Sequence, residues 1–387
     1  MASRPSWPRI VAGLLLAVGS ALVMPAAQAL AAPAKATTVS AGYIHTCAVT
    51  TGGGVRCWGY NGYGQLGDNS TTDSNKPVGV YGLGSKVKGV TSGYLHSCAL
   101  TTKGKVWCWG YNGYGQLGDN TTTNSSKPVA VAGLGKVKAV SAGYYQTCAI
   151  TTKGAVKCWG NNSYGQLGDN STTSSATPVT VYGLTKGVKA ISASNYHTCA
   201  ITSKGKAVCW GNNGQGQLGD NSTTNSPKPV TVYGLTKNVK QISAGIYGSC
   251  AVNGKGKALC WGYNGQGQLG DNSTTNSLKP VGVYGLGSGV KSVKPAMSHA
   301  CALTTKGKVK CWGANTYGEL GDNSTTSSLK PVGVYNLDKS TKVSVGYLHT
   351  CAVTAKKAVK CWGYNVYGGV GNNTNTNASK PMKVFGF

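Results

Sequence analysis

Phenylalanine is almost absent from this chain, with 2 residues in 387, and methionine contributes only 4. The aromatic load rests instead on 21 tyrosines and 9 tryptophans, side chains that pair a large apolar body with a polar handle. Acid is equally scarce. Nine Asp and Glu stand against 37 Lys and Arg, for a formal charge of +28 and a pI of about 9.6. Only Arg4, Arg9 and Arg56 are arginine, so the basic charge is lysine. No long apolar stretch follows the helical period, which argues against a helical core. Short β-prone runs between Gly, Asn, Ser and Thr predict an all-β fold, and 58 glycines fit its many turns.

One apolar run exists, Ile10 to Val23, behind the basic residues Arg4 and Arg9. It is too short to span a bilayer, and Ala27-Gln28-Ala29 and Ala29-Leu30-Ala31 follow as A-x-A cleavage signals. Residues 1–29 read as a Sec-type signal peptide cleaved after Ala29, with Ala31 as the alternative site and a retained signal-anchor as the alternative reading. Residues 30–35 read as a short linker. Without Arg4 and Arg9 the formal charge falls from +28 to +26. No second hydrophobic segment is present, so the expectation is a secreted product, extracellular or associated with the cell wall, with no transmembrane segment in the mature chain.

The 14 cysteines are Cys47/Cys57, Cys98/Cys108, Cys148/Cys158, Cys199/Cys209, Cys250/Cys260, Cys301/Cys311 and Cys351/Cys361. Members of a pair lie ten apart, and pairs recur every 50 or 51 residues, a period of solenoids or propellers. Seven units fill residues 36–387 as one domain. Within one unit four strands can be marked: a, Pro77 to Val80; b, Val87 to Thr91; c, His96 to Thr101; d, Val106 to Tyr111. Short connections predict a four-stranded antiparallel meander, the unit of a propeller blade. The first unit opens at strand b, and the chain ends on an extra strand a, Lys380 to Phe385. The expectation is therefore a ring closed by the C-terminal strand joining the N-terminal blade, rather than a linear solenoid with exposed ends.

Thr102-Lys103-Gly104 suits a three-residue hairpin loop, a type I turn followed by a left-handed glycine. Counting back from it pairs Leu100 with Val106, Ala99 with Trp107 and Cys98 with Cys108. The cysteines then fall on a non-hydrogen-bonded site, where Cα atoms approach to about 4.5 Å, near the lower limit for a disulfide. One cross-strand disulfide per blade is predicted. The rival, metal binding, lacks the close spacing of zinc ligands.

The words His96-Ser97-Cys98-Ala99-Leu100, Gly104, Trp109-Gly110, Asn112 and Tyr114-Gly115-Gln116-Leu117-Gly118 resemble the repeat of the regulator of chromosome condensation (RCC1-like) family, seven times over residues 36–387. The resemblance implies a seven-bladed β-propeller. Its nuclear members are nucleotide-exchange factors, and no exchange-active residue can be matched here. Its secreted bacterial branch includes a β-lactamase-inhibitory protein, to which the repeat pattern is similar. The cysteine pairs and lysine load depart from both.

Catalytic chemistry finds no constellation. All five histidines, His45, His96, His197, His299 and His349, occupy one repeat position, replaced by Gln146 and Gly248 in the other two units. A structural role is expected for them, bonding backbone at the start of strand c. Six of the nine acids, Asp68, Asp119, Asp169, Asp220, Asp271 and Asp322, stand in Gly-Asp-Asn, leaving Asp73, Glu319 and Asp338. Asp and Asn there read as turn formers. They offer no glycosidase-type carboxylate pair and lack the alternating aspartates of a calcium loop, with weak calcium at the turns as the alternative. Gly-Gln-Leu-Gly lacks the Lys-Ser/Thr of a phosphate loop. No cofactor, metal or enzyme activity is expected.

Function is then expected on a face of the ring. Strand parity puts the b–c and d–a connections on one face and the a–b and c–d connections on the other. The first carries Tyr43, Tyr94, Tyr144, Tyr145, Tyr196, Tyr247, Met297 and Tyr347 in the b–c turns, and Tyr60, Tyr111, Tyr263 and Tyr364 after Trp-Gly. In the inhibitory relative these two loop positions form an aromatic ring that grips the partner, so the resemblance implies a binding role; the alternative is a lid on the channel. The second face carries Lys103, Lys105, Lys153, Lys204, Lys206, Lys306 and Lys308. The expected function is a non-enzymatic binding scaffold recognising a protein partner through the tyrosine face, an inhibited secreted or periplasmic enzyme among the possibilities. The alternative is a lectin-like binder of carbohydrate or anionic cell-envelope polymer aided by the lysine face. Nucleic acid would be bound at most non-specifically, because lysine lacks the bidentate base contacts of arginine.

Overall fold

The computed structural model describes residues 1–3 and 33–387. The signal run and both cleavage signals lie outside the described residues. Among the described residues none is helical, and no helix is long and apolar enough to cross a membrane. Residues 36–383 form 28 strands in seven four-stranded antiparallel sheets, one per blade. In blade one these are β1 (Ala36–Ala41), β2 (His45–Thr50), β3 (Val55–Gly59) and β4 (Ser74–Gly79). In blade two they are β5 (Val87–Ser92), β6 (His96–Thr101), β7 (Val106–Gly110) and β8 (Ser125–Ala130). Blades three to seven span 137–180, 188–231, 241–282, 290–333 and 340–383.

Burial explains the order across each sheet. The second strand, such as His96–Thr101, is buried on both faces, because neighbouring blades cover it from each side. The first strand lines the ring axis. The fourth alternates half-buried and exposed, and it carries Lys-Pro in most blades, as in Lys127-Pro128. Proline cannot donate to a ladder, and lysine discourages further pairing, so both belong on an outer edge.

The predicted hairpin register holds. Cys98 pairs with Cys108, Ala99 with Trp107 and Leu100 with Val106, and Gly104 takes φ +81° while donating to Thr101 O at 3.0 Å. The same register sets Cys47 opposite Cys57, Cys148 opposite Cys158, Cys199 opposite Cys209, Cys250 opposite Cys260, Cys301 opposite Cys311 and Cys351 opposite Cys361. All seven pairs are disulfides with Cα atoms 4.0–4.1 Å apart, closer than the 4.5 Å expected, and no cysteine is free. No thiolate is left for the metal reading.

These disulfides belong to neither face of the ring: Cys158, Cys209, Cys260, Cys311 and Cys361 are fully buried between blades, as are their partners. The regular ladder also stops at the second cysteine of each pair. Pairing to the outer strand slips between Cys158 and Gly160, Cys209 and Gly211, Cys260 and Gly262, Cys311 and Gly313, and Cys361 and Gly363. The tryptophan between them sits at this irregularity, and the glycine after it has positive φ, as +107° at Gly160. A strand reading by simple alternation has no place for such a bulge.

The expected closure is wrong. The C-terminal strand Ala378–Lys383 pairs with Val359–Gly363 of its own blade, and blade one takes its fourth strand, β4, from the adjoining sequence. The short a–b segment is no hairpin. It crosses beneath the c–d turn, where Leu83 O accepts from Val55 N at 2.9 Å and Gly53 O accepts from Val87 N at 3.0 Å, and so reaches the next blade's inner strand. The long d–a loop is the one that folds back. Asn61 Oδ1 accepts from Leu66 N at 2.8 Å, while Asn61 Nδ2 donates to Asp68 Oδ1 at 3.3 Å, Ser70 O at 3.2 Å and Thr72 O at 3.1 Å. Asp68 Oδ1 also accepts from Ser70 N at 3.1 Å, so the repeated aspartates brace the loop as turn formers. The following Asn69 is left-handed at φ +69°.

The ring closes by packing instead. Trp58 Nε1 in blade one donates to Gly369 O in blade seven at 2.9 Å, and Ala36 N donates to Lys357 O at 2.8 Å. Phe387 is buried in one apolar cluster with Ala36, Trp58 and Val353. The same tryptophan bond joins the other blades, as Trp109 Nε1 to Gln65 O at 2.9 Å.

Candidate partner-binding faces

The histidines hold the blades together, and not through backbone as expected. His45 Nε2 meets Ser97 Oγ at 2.9 Å, His96 meets Thr147 at 2.9 Å, His197 meets Ser249 at 2.7 Å, His299 meets Thr350 at 3.0 Å and His349 meets Thr46 at 2.7 Å. Each reaches the hydroxyl residue preceding the next blade's first cysteine. Where Gly248 replaces the histidine, Ala300 replaces the hydroxyl, so donor and acceptor are lost together. Every histidine is buried, and desolvation depresses the pKa of His45, His96, His197 and His299 to about 3 and of His349 to about 4. These are structural staples. Among the described residues no three His, Cys, Asp or Glu side chains converge on a metal-sized site.

The two ends of the blades differ in chemistry. At one end the b–c tyrosines crowd the channel mouth. Tyr43 lies 4.2 Å from both Tyr94 and Tyr347, and Tyr94 stacks on Tyr144 at 3.5 Å and 22°. Tyr145 is the junction to the outer row, with Tyr144 at 4.5 Å, Tyr114 at 4.8 Å, Tyr94 at 5.5 Å and Tyr111 at 5.8 Å. Tyr60 and Tyr364 join through Tyr367, at 5.3 and 6.4 Å, and Tyr196 joins Tyr144 at 6.2 Å. Burial, then the neighbouring tyrosines, push the Tyr145 phenol up to about 12; burial first also raises Tyr43 and Tyr144. These hydroxyls stay neutral at physiological pH.

The aromatic surface is an arc rather than a ring. Tyr247 and Tyr263 pair only with each other, at 6.2 Å. Blade six leaves a gap of Met297, Ser298 and the buried Ala314, beside Glu319, whose carboxyl pKa is raised by burial. Five tyrosines of the arc escape the sequence reading: Tyr63, Tyr114, Tyr164, Tyr317 and Tyr367. Tyr63 bridges to Tyr111 at 5.2 Å, Tyr164 to Tyr196 at 5.2 Å and Tyr317 to Tyr364 at 5.0 Å. Their signal was the residue before Gly-Gln-Leu-Gly or its variants, tyrosine in five units and glutamine at Gln215 and Gln266.

At the opposite end Lys103, Lys105, Lys153, Lys204, Lys306 and Lys308 are exposed or nearly so on the c–d turns, and Lys206 is half-buried. The sole ion pair among the described residues lies here, Lys360 Nζ to the exposed Asp338 Oδ2 at 3.1 Å. The remaining lysines of this face make no ion pair.

Seven meander blades stapled by repeated Trp and His bonds define a closed β-propeller with two chemically distinct faces. The RCC1-like domain family matches residues 19–283 and 87–386, and the chain belongs to that family. It is 33% identical over 319 residues to the human E3 ubiquitin-protein ligase HERC2, covering 81% of this chain but 6% of that protein. To the ultraviolet-B receptor UVR8 of Arabidopsis thaliana it is 31% identical over 312 residues, covering 80% of this chain and 60% of the receptor. Its fold matches that of Prp20p from Saccharomyces cerevisiae, a protein with binding properties to Gsp1p and histones, at a TM-score of 0.77 and 22% identity, covering 91% and 87% of the two chains. It matches human WBSCR16 at 0.73 and 24% identity, covering 82% and 86%.

Proposed function

We propose that this chain is a secreted, non-enzymatic binding propeller whose protein partner docks on the tyrosine face. The observation that carries the reading is the asymmetric arc from Tyr317 through Tyr145 to Tyr164. A surface that only capped the channel needs no outer row, whereas half-buried tyrosines in mutual contact present large, rigid, amphipathic area at low entropic cost. Prp20p, with its binding properties to Gsp1p and histones, offers a precedent for protein recognition on this fold. Seven disulfides suit an oxidising compartment and support export by a signal at residues 1–29, with the propeller following a short linker. A secreted or periplasmic enzyme that this chain inhibits is one such partner. The test is capture from culture supernatant and envelope fractions by the wild type and by Tyr145→Ala. A partner retained equally by both would overturn the reading.

A second reading rests on the lysine face. Its exposed lysines with one acid favour an anionic cell-envelope polymer, bound through screened charge rather than through aromatic contact.

A further inference from the structure

The inner strands line a channel along the ring axis, and blade six breaks its wall. In most blades a hydroxyl at one repeat position accepts a backbone N–H from the following blade: Ser40 from Ser92 at 2.9 Å, Thr91 from Ala142 at 3.1 Å, Ser141 from Ala193 at 3.0 Å, Ser192 from Ala244 at 3.0 Å and, closing the ring, Ser344 from Ala41 at 3.0 Å. Blade six departs twice. Pro295 has no N–H to give Ser243, and Lys294 stands where the other six blades place the hydroxyl.

Lys294 lines a channel cavity of about 430 Å³ together with Lys342, Lys291, Gln241, Ser292 and Ser344. No Asp or Glu lines it, and the inner strands contain none. The one ion pair among the described residues lies elsewhere, between Lys360 and Asp338. The Lys294 side chain is half-buried, open to the channel but ringed by protein. Desolvation and the Lys342 charge both depress its pKa. A lysine serving only solubility gains nothing from such a position, because enclosure opposes its charge.

We propose that the channel binds a phosphate-type oxyanion, held between the Lys294 and Lys342 ammonium groups. Two cations without a counter-ion match a dianion in charge, and lysine binds phosphate as a compact point charge with three donors. Ser292 and Gln241 add neutral donors on the same wall. The route in is from the lysine face. Tyr43, Tyr94 and Tyr347 crowd the opposite mouth, whereas the exposed Lys88, Lys138, Lys189 and Lys240 begin the inner strands at the lysine end. A low-dielectric channel with one sign of charge at its mouth concentrates anions.

The test is calorimetric titration of the full-length protein with inorganic phosphate at low ionic strength, in wild type and in Lys294→Ser. That substitution restores the residue type of the other blades, so Val345 N–H gains a hydroxyl acceptor like those of its counterparts and the fold is preserved. Wild type should bind one equivalent saturably, Lys294→Ser should weaken binding at least tenfold, and Lys342→Gln should weaken it similarly. Lys76→Gln, on the exposed outer strand of blade one, should leave it unchanged. Titration with sn-glycerol 3-phosphate separates a free ion from a phosphate ester, since binding of the ester at least as tight as phosphate marks the ester and its exclusion marks the ion. Absence of saturable binding, or equal affinity in wild type and both channel variants, overturns the proposal.

Discussion

His349 Nε2 donates to Thr46 Oγ1 across 303 residues of sequence at 2.7 Å, and the Thr46 hydroxyl in turn donates to Gly369 O at 3.0 Å. Because the hydroxyl has one proton and spends it on a carbonyl, the histidine must be the Nε2–H donor. The same logic sets His45, whose partner Ser97 donates to Gln65 O at 3.1 Å, and leaves its buried Nδ1 unpartnered. A second proton there would find no acceptor.

Acid should therefore loosen the ring. A histidine whose folded pKa is depressed to about 3 is neutral when folded but protonates at about 6.5 when unfolded. The unfolded state binds more protons below pH 6.5, so stability is full above that value and falls as pH drops towards 4, by up to about 1.4 kcal/mol per pH unit for each histidine. Thermal melts from pH 7.5 to 4 should show a steady fall in Tm. A flat profile would mean the five sites do not titrate on unfolding. His349→Ala, which leaves Thr46 without its donor, should cost about 1–3 kcal/mol.

Peptide mapping without reductant should recover Cys47–Cys57 and its six analogues. Each closes a short loop worth at most about 2.5–3 kcal/mol, less where the hairpin is already formed in the unfolded chain. Replacing Cys98 and Cys108 together with Ala should lower Tm while leaving the ring assembled by its Trp and His bonds. Cross-blade peptides would contradict the register.

Tyrosine truncation should grade with position in the arc. Tyr145→Ala, at the junction of inner and outer rows, should cost about 2 kcal/mol or more in partner binding, as buried central aromatics do. Tyr247→Ala, outside the arc, should cost little, and Tyr114→Ala should fall between. Equal small losses at all three, with competition by free sugar, would instead indicate a glycan engaging blades alike.

Polymer binding should depend on salt. Replacing Lys103, Lys105, Lys153, Lys204 and Lys206 with Gln should weaken retention on an anionic envelope polymer, and so should raising ionic strength, since exposed charges are screened within about 8 Å at physiological salt. The tyrosine variants should leave this binding nearly unchanged. Retention that survives high salt would assign the lysines to solubility.

The seven-fold period, the all-β class and the cysteine register were legible in the residues, because each depends on local spacing. Thr102-Lys103-Gly104 sets its own turn, and counting back from it places Cys98 opposite Cys108. The short b–c connection likewise placed Val87–Ser92 beside His96–Thr101, but the partner of strand a was not legible. Loop length favoured an a–b hairpin, but Asn61 folds the longer d–a loop through bonds to Leu66, Ser70 and Thr72, and the a–b segment is spent crossing between blades. That error carried the ring closure with it. Repeat position marked Tyr145, Tyr196 and Tyr247 as equivalent, yet only packing between blades decides which rings touch, and it joins Tyr317 to Tyr164 in an arc while leaving Tyr247 outside it. The histidines recur visibly in the sequence, but their acceptors lie some fifty residues onward, or 303 residues back at the closing contact, because each staple forms only when one blade stands against the next.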